Sequence, residues 1–271
     1  MSFTLESTTR QESETIVLGD VPIARLGMEE TLDLLTDWAG GDRPRRVATA
    51  NVDFLRNASR HRGLRTALRS ADLVTADGFP LVVLSRIVGA PIAERVAGAD
   101  LVPALARRLA TSGHSIYLLG GREGVGRDAA RALQKSAPGL NVAGVSSPFI
   151  DWSDEAQASA VARDVRASGA QAIFVALGSP RQELFLSRWL AETGCALGVG
   201  VGGTLDFLAQ PERRAPRWIQ AMGFEWAHRL CLEPRRLAGR YLADAAYLAR
   251  LSVAELRSSF SRRSAIGGGA S

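Results

Sequence analysis

Polar side chains collect where short apolar runs of the chain end. Thr49 and Asn51 close Val47-Ala48-Thr49-Ala50-Asn51. Asp77 follows Leu73-Val74-Thr75, Arg95 and Asp100 flank Val96-Ala97-Gly98-Ala99, Gln182 and Glu183 follow Gly178-Ser179-Pro180, and Asp206 follows Gly202-Gly203. No Ser-His-Asp order surrounds a nucleophile elbow, and no cysteine pairs with a histidine in a catalytic pattern. His61, His114 and His228 are scattered without metal-ligand spacing, and no Asp-x-Asp pair occurs, so no metal site is expected. An enzyme that handles a diphosphate without metal-binding acids needs arginines to balance the leaving group's charge. The C-terminal segment supplies them: between Arg213 and Arg263 eleven arginines stand against Glu225, Glu233, Asp244 and Glu255. That is a surplus of seven in a chain whose net charge is +5, so the rest is slightly acidic.

The elements that position these residues follow from the spacing. Ala172 to Ala176 is an apolar run ended by Gly178-Ser179-Pro180, a strand and a tight turn. A helix over Leu184–Thr193 follows, with Arg181, Gln182 and Glu183 at its mouth and Gly194 as its stop. Cys195–Val201 reads as the next buried strand, and Gly202-Gly203 let backbone approach a ligand before a helix capped by Thr204. Ligands bind at such strand ends in open α/β sheets, although both loops are equally readable as plain turns.

Upstream, Ile16–Ile23 forms a strand-turn-strand around Gly19-Asp20, and Met28, Leu32, Leu35 and Trp38 mark a helix ended by Gly40-Gly41. Further helices are expected over Leu81–Val88, Leu101–Ser112, Arg127–Ser136 and Ser153–Ser168, and strands at Ser115–Leu119 and Asn141–Val145. Asp100, just ahead of its helix, suits a cap or the helix dipole. Strand and helix thus alternate from Val47 to Leu208, which predicts an α/β, Rossmann-like, mostly parallel sheet with helices on both faces. Gly120–Gly126 resembles a phosphate loop, but it is not a clean Gly-x-Gly-x-x-Gly, and Asn141 stands where a ribose-binding acid is expected.

The domain plan is a disordered tail over 1–14, a catalytic core over 15–210, a basic helical appendage over 211–260 and a second disordered tail over 261–271. Two amphipathic helices, Trp218–Leu232 and Pro234 to about Arg257, build the appendage. Its arginines, with Trp218, Trp226, Tyr241 and Tyr247, suit an anionic headgroup region. With 271 residues and 46% apolar composition, the chain can bury one large core. Cys195 and Cys231 make no disulfide framework, which fits a reducing compartment. No signal peptide is visible, and no apolar run reaches the ~18 residues of a spanning helix.

Seven motifs then occur in order: Thr49-x-Asn51, Ala76-Asp77-Gly78, Arg95-Val96-x-Gly98-x-Asp100, Gly178-x-Pro180-x-Gln182-Glu183, Gly200-Val201-Gly202-Gly203-x-x-Asp206, Arg214-Ala215-Pro216, and Glu225-Trp226-x-x-Arg229-Leu230-x-x-Glu233-Pro234. This pattern resembles the WecG/TagA/CpsF family of bacterial glycosyltransferases over residues 16 to 250, departing only at Phe224, where the family more often has an aliphatic residue. The resemblance implies inverting, metal-independent and cofactor-free transfer of a hexose-type sugar from a UDP-sugar to a polyprenyl-diphosphate-linked sugar. It also implies an appendage on the anionic inner face of the cytoplasmic membrane. Asp77 matches the family's general base, although an Asp before Gly78 is also a turn former. Thr49, Asn51, Arg95, Asp100 and Gln182 match the substrate pocket, as does Glu183, which is also a first-turn acid. Gly202 and Gly203 would admit phosphates, and Asp206 would bind sugar hydroxyls or cap its helix. Arg214, Arg229 and Arg236 are the arginines expected on the diphosphate. A dimer or trimer that buries the apolar side of the appendage is open. Two other classes remain readable from the residues alone: a nucleic-acid-binding α/β protein with a basic helical end, and a nicotinamide dehydrogenase using Gly120–Gly126. The core lacks the aromatic-and-basic strand face that stacks bases, so no nucleic-acid partner is expected.

Overall fold

The computed structural model describes residues 15–211 and 214–267; the tail expected over 1–14 lies outside them. Six parallel strands form one sheet: β3 (Arg45–Ala50), β4 (Leu73–Ala76), β5 (Ser115–Gly120), β6 (Asn141–Ser146), β7 (Ala172–Ala176) and β8 (Leu197–Gly200), in the order β4-β3-β8-β7-β5-β6. A separate antiparallel hairpin, β1 (Thr15–Leu18) and β2 (Val21–Ala24), turns through Gly19 and Asp20, both at positive φ as a two-residue hairpin turn requires. Strand β8 starts at Leu197, two residues later than the apolar run suggests, and Cys195 is a fully buried filler ahead of it.

Alternate residues of the central strands enter opposite cores, as a two-faced sheet demands. Val47, Phe174 and Val199 face α1 (Met28–Ala39), α5 (Gly98–Thr111) and α6 (Val125–Ser136). Ala48 and Val74 face the hairpin with α2 (Val52–Arg60) and α4 (Phe79–Ile87), and α3 (Arg62–Arg69) joins them. Ile173 and Val175 face α7 (Glu155–Ala167) and α8 (Arg181–Thr193). The helix after β3, α2, therefore lies on one face, while α9 (Thr204–Ala209), after β8, contributes Leu205 to the other. Neighbouring β3 and β8 send their chains apart, and this opens a crevice at their carboxyl ends.

The appendage has three helices rather than two: α10 (Arg217–Ala221), α11 (Glu225–Leu232) and α12 (Pro234–Gly267). Gly223, at φ +76°, breaks what the apolar spacing presents as one helix from Trp218. Helix α12 extends past the boundary expected at 260. It lies on the core, with Leu251 buried beside the hairpin and α2, Tyr247 and Leu248 packed on the same cluster, and the Asp244 carboxylate 2.8 Å from the Arg56 guanidinium. Tyr247, expected among lipid headgroups, instead sets its hydroxyl against Gly19. The apolar side left for a partner is in part covered by the chain's own core.

Phe174 is fully buried at the middle of the sheet. Phe174→Ala should lower the unfolding free energy by about 3–5 kcal/mol, read as an earlier midpoint in chemical denaturation at unchanged slope.

Candidate active site

Asp77 sits immediately past β4, where its amide donates to the Ala50 carbonyl at 2.8 Å and ties it to the end of β3. The segment that carries Arg95 is laced along the same edge. The Val96 amide donates to Ala76 O at 3.0 Å, and the buried Thr75 hydroxyl donates to Val96 O at 2.9 Å. Helix α5 begins at Gly98, earlier than the sequence suggests, so Asp100 lies inside its first turn rather than ahead of it. The Gly98 amide donates to the Asp77 carboxylate, which brings that helix start onto the acid.

Burial dominates the electrostatics of Asp77 and pushes its pKa up to about 6. Arg95 opposes the shift, as do the Gly98 hydrogen bond and Arg229, while Glu225 adds to it. The arginine carried by the core is the largest charge acting on Asp77, and the two residues that follow it, Glu225 and Arg229, both come from α11 of the appendage. Arg229 also lies over the Phe207 ring, 5.1 Å from its centre. The appendage thus reaches the acid of the core.

Four charges next to Asp77 alternate in a closed ring. Arg95 donates to Asp100 Oδ2 at 2.6 Å, Asp100 Oδ1 accepts from Arg214 Nη2 at 2.5 Å, Arg214 Nε reaches Glu225 Oε1 at 3.5 Å, and Glu225 Oε2 stands 3.6 Å from Arg95 Nη1. Arg214 also donates to the Ala99 carbonyl at 3.3 Å. Each side chain is 17–31% exposed. Such half-buried pairs fix geometry more than they add stability. A cleft of about 560 Å³ adjoins the ring, lined by Phe79, Val82, Arg86, Arg95, Asp100 and Gln220 among others.

On the other side of the crevice the expected pocket residues lie beneath the surface. Gln182 and Glu183 belong to the first turn of α8 and are 0% and 5% exposed. Gln182 Oε1 accepts from the Gly202 amide at 3.0 Å, so it shapes the glycine loop from below. Gly200 gives them room: a Cβ there would stand 2.9 Å from Gln182 Nε2. Burial pushes Glu183 up to about 6 against the opposing influence of Gln182 and Ser179. Neither of its oxygens has a well-formed hydrogen bond. Thr49, also buried, donates to Gly200 O at 3.2 Å and holds β3 to β8. Asn51 caps α2 by accepting from the Phe54 amide at 3.3 Å, with its Cβ against Gly78. Gly203, not Thr204, is the cap position of α9, and Thr204 is the first helical residue.

Gly202 stands at φ +53°, and a Cβ at Gly203 would meet nothing within 4 Å, so that loop is open. Asp206 pairs with Arg122 of the Gly120–Gly126 loop at 3.2 Å, a link that spacing alone does not reveal. Arg236 sits apart from the ring, exposed at the start of α12 and paired with Glu233. Among the described residues no cluster of three His, Cys, Asp or Glu side chains forms a metal site. Glu225 is a residue of this site that motif spacing does not single out. It stands in the Glu-Trp-x-x-Arg motif, but its reach back to Arg95 depends on how the appendage folds over.

A half-buried acid with arginines clustered beside it thus lies at the carboxyl edge of the parallel sheet. The chain matches the Glycosyl transferase WecG/TagA/CpsF family over residues 16–262, and it belongs to that family of glycosyltransferases. Among its relatives is the N-acetylglucosaminyldiphosphoundecaprenol N-acetyl-beta-D-mannosaminyltransferase of Bacillus spizizenii, 30% identical over 190 residues that cover 70% of this chain and 72% of the relative. The protein of the same name from Bacillus subtilis is 27% identical over the same shares.

Because burial raises the Asp77 pKa, the folded state binds this proton more tightly than the unfolded chain does. Asp77 therefore favours folding at pH below its ordinary carboxylate value, and that contribution is lost as pH rises towards about 6. The melting temperature of Asp77→Asn relative to wild type should climb between those limits. Glu225→Gln removes a nearby negative charge, so it should lower the Asp77 titration midpoint observed by carboxyl NMR.

Proposed function

We propose that this enzyme transfers a hexose-type sugar from a UDP-sugar to a sugar carried on a polyprenyl diphosphate, with inversion and without a metal ion. The observation that carries the reading is the setting of Asp77: an acid with a pKa of about 6 that feels the charges of both Arg95 of the core and Arg229 of the appendage. At neutral pH such a group is ionised and a stronger base than an ordinary aspartate. In the reaction Asp77 takes the proton of the acceptor hydroxyl as that oxygen bonds to the sugar's anomeric carbon. The bond from that carbon to the diphosphate breaks, and UDP leaves with the electron pair. Attack from the face opposite the leaving group inverts the anomeric centre.

Arginines would balance the charge that develops on the diphosphate, as the absence of an Asp-x-Asp pair requires. Arg95, Arg214 and Arg229 are the candidates nearest Asp77; Arg236 would join them only if α12 shifts. The open Gly202-Gly203 loop, held from below by Gln182, would receive the nucleotide phosphates, and Asn51 and Asp206 would face sugar hydroxyls. Thr49 acts from beneath the surface by holding β3 to β8, and Glu183 lies buried beside Gln182 under the same loop. Both relatives' names carry an undecaprenol-linked diphosphate acceptor and a mannosaminyl donor group. This makes UDP-N-acetylmannosamine the first donor to try. No helix among the described residues is long and apolar enough to cross a membrane. The basic appendage would therefore hold the enzyme peripherally on the anionic inner face of the cytoplasmic membrane.

Asp77→Ala should bind UDP in calorimetric titration much as wild type does, while its transfer rate to a lipid-linked acceptor drops by about 10²–10⁴-fold. In wild type, kcat/KM should fall as pH is lowered through about 6, where the base takes up its proton. Full transfer by Asp77→Ala would overturn the assignment of the base.

A further inference from the structure

The core carries an exposed apolar row that neither the sheet nor the appendage covers. Phe79, Val83 and Ile87 recur at every fourth position of α4, so they share one side of the helix, and they are 44%, 38% and 55% exposed. Leu81, Val82 and Leu84 bury the other side. Isolated apolar residues on a surface need no explanation, but a row that continues into a second group does. The row meets the appendage at Phe79: a Cβ on Gly223 would stand 2.9 Å from that ring. Around Gly223, Trp218, Met222 and Phe224 are 64%, 49% and 51% exposed. The cleft beside the charge ring runs between these two groups, with Phe79 on one wall and Gln220 on the other.

The two apolar groups carry arginine and no acid, while the acids Glu94 and Asp100 line the cleft between them. Helix α4 contains Arg86 and no acid, and the stretch from Arg214 to Phe224 holds two arginines and no acid. Apolar side chains interleaved with arginines match the headgroup region of an anionic bilayer, where rings and aliphatic chains bury and guanidinium groups meet phosphate. A second copy of this chain fits less well. Two-fold self-pairing through α4 would bring two Arg86 side chains into one apolar interface and would close the cleft.

We propose that α4 is the second half of a membrane-docking surface: Phe79, Val83 and Ile87 enter the headgroup layer of an anionic bilayer together with Trp218, Met222 and Phe224. Docked in this way, the cleft next to Asp77 opens at the lipid surface, and a lipid-linked diphosphate reaches the arginines without leaving the membrane. This rests on the proposed lipid-linked acceptor for its purpose, but not for its test.

The test is co-flotation of the full chain with vesicles of phosphatidylcholine, with and without phosphatidylglycerol. Substituting Val83→Ser and Ile87→Ser together touches neither the charge ring nor Asp77. It should weaken partition into the anionic vesicles by about tenfold or more, while UDP affinity and circular dichroism stay as in wild type. Val83→Trp should strengthen partition, and brominated lipid should quench the added fluorescence. Unchanged partition in the serine variant, or no quenching of the new tryptophan, overturns the proposal. So does a wild-type dimer in light scattering that the serine variant splits, because the row is then covered by a second copy. The two readings fail separately. Loss of vesicle binding in an enzyme that neither binds UDP nor transfers sugar keeps the surface and removes the proposed reaction. Turnover with unaltered flotation does the reverse.

Discussion

The ring of Arg95, Asp100, Arg214 and Glu225 is the constraint on which the site depends. It joins residues of the α4–α5 connection, the first turn of α5, the linker before α10 and the start of α11. Its signs alternate, so each charge has opposite neighbours on both sides. Each member remains partly wet, so the ring's worth lies less in free energy than in orientation. Removing one member would leave its neighbours' charges short of a partner in a partly desolvated place. The appendage is therefore held against the core at the point where the core presents its most perturbed carboxylate.

Asp77 shows how that constraint becomes chemistry. A carboxylate at a strand end, with a helix-start amide and an arginine beside it, would ordinarily be held below its usual pKa. Burial overrides both here, and Glu225 adds to the effect. The result is a carboxylate with a pKa of about 6, suited to the proposed role of base and set in part by a residue that lies 148 positions further along the chain than Asp77. The same ring ties up Arg95 and Arg214 with carboxylates. An anionic substrate entering the cleft would compete with Asp100 and Glu225 for those guanidinium groups.

Across the crevice, support is buried rather than displayed. Gln182 holds the Gly202 amide, Thr49 clamps β3 to β8, and Gly200 leaves space for the Gln182 and Glu183 side chains. These residues stand within motifs that look like pocket linings, yet their side chains point into the protein. The incompletely hydrogen-bonded polar group of Ser179, Gln182 and Glu183 sits under the loop that Gln182 shapes, where small changes in side-chain position would be felt by the loop amides.

The sequence by itself determined the alternation of strands and helices, the hairpin at Gly19-Asp20, the buried Cys195 and the family, because these depend on local periodicity, turn residues and motif order. It also placed Asp77, Arg95 and Asp100 at the ends of their elements and Arg214 in a basic loop. Only the tertiary structure decided that these four gather with Glu225, which meets Arg95 and Arg214, and that Gln182 and Glu183 lie beneath the glycine loop. It also decided that Asp206 finds Arg122, and that Tyr247 packs on the hairpin rather than facing lipid. Gly223 divides a helix that apolar spacing draws as continuous, since periodicity carries no information on the sign of φ. The physical reason is common to all of these: contacts between residues far apart in the chain, and the desolvation that shifts a pKa, exist only once the sheet order and the fold of the appendage bring the groups together.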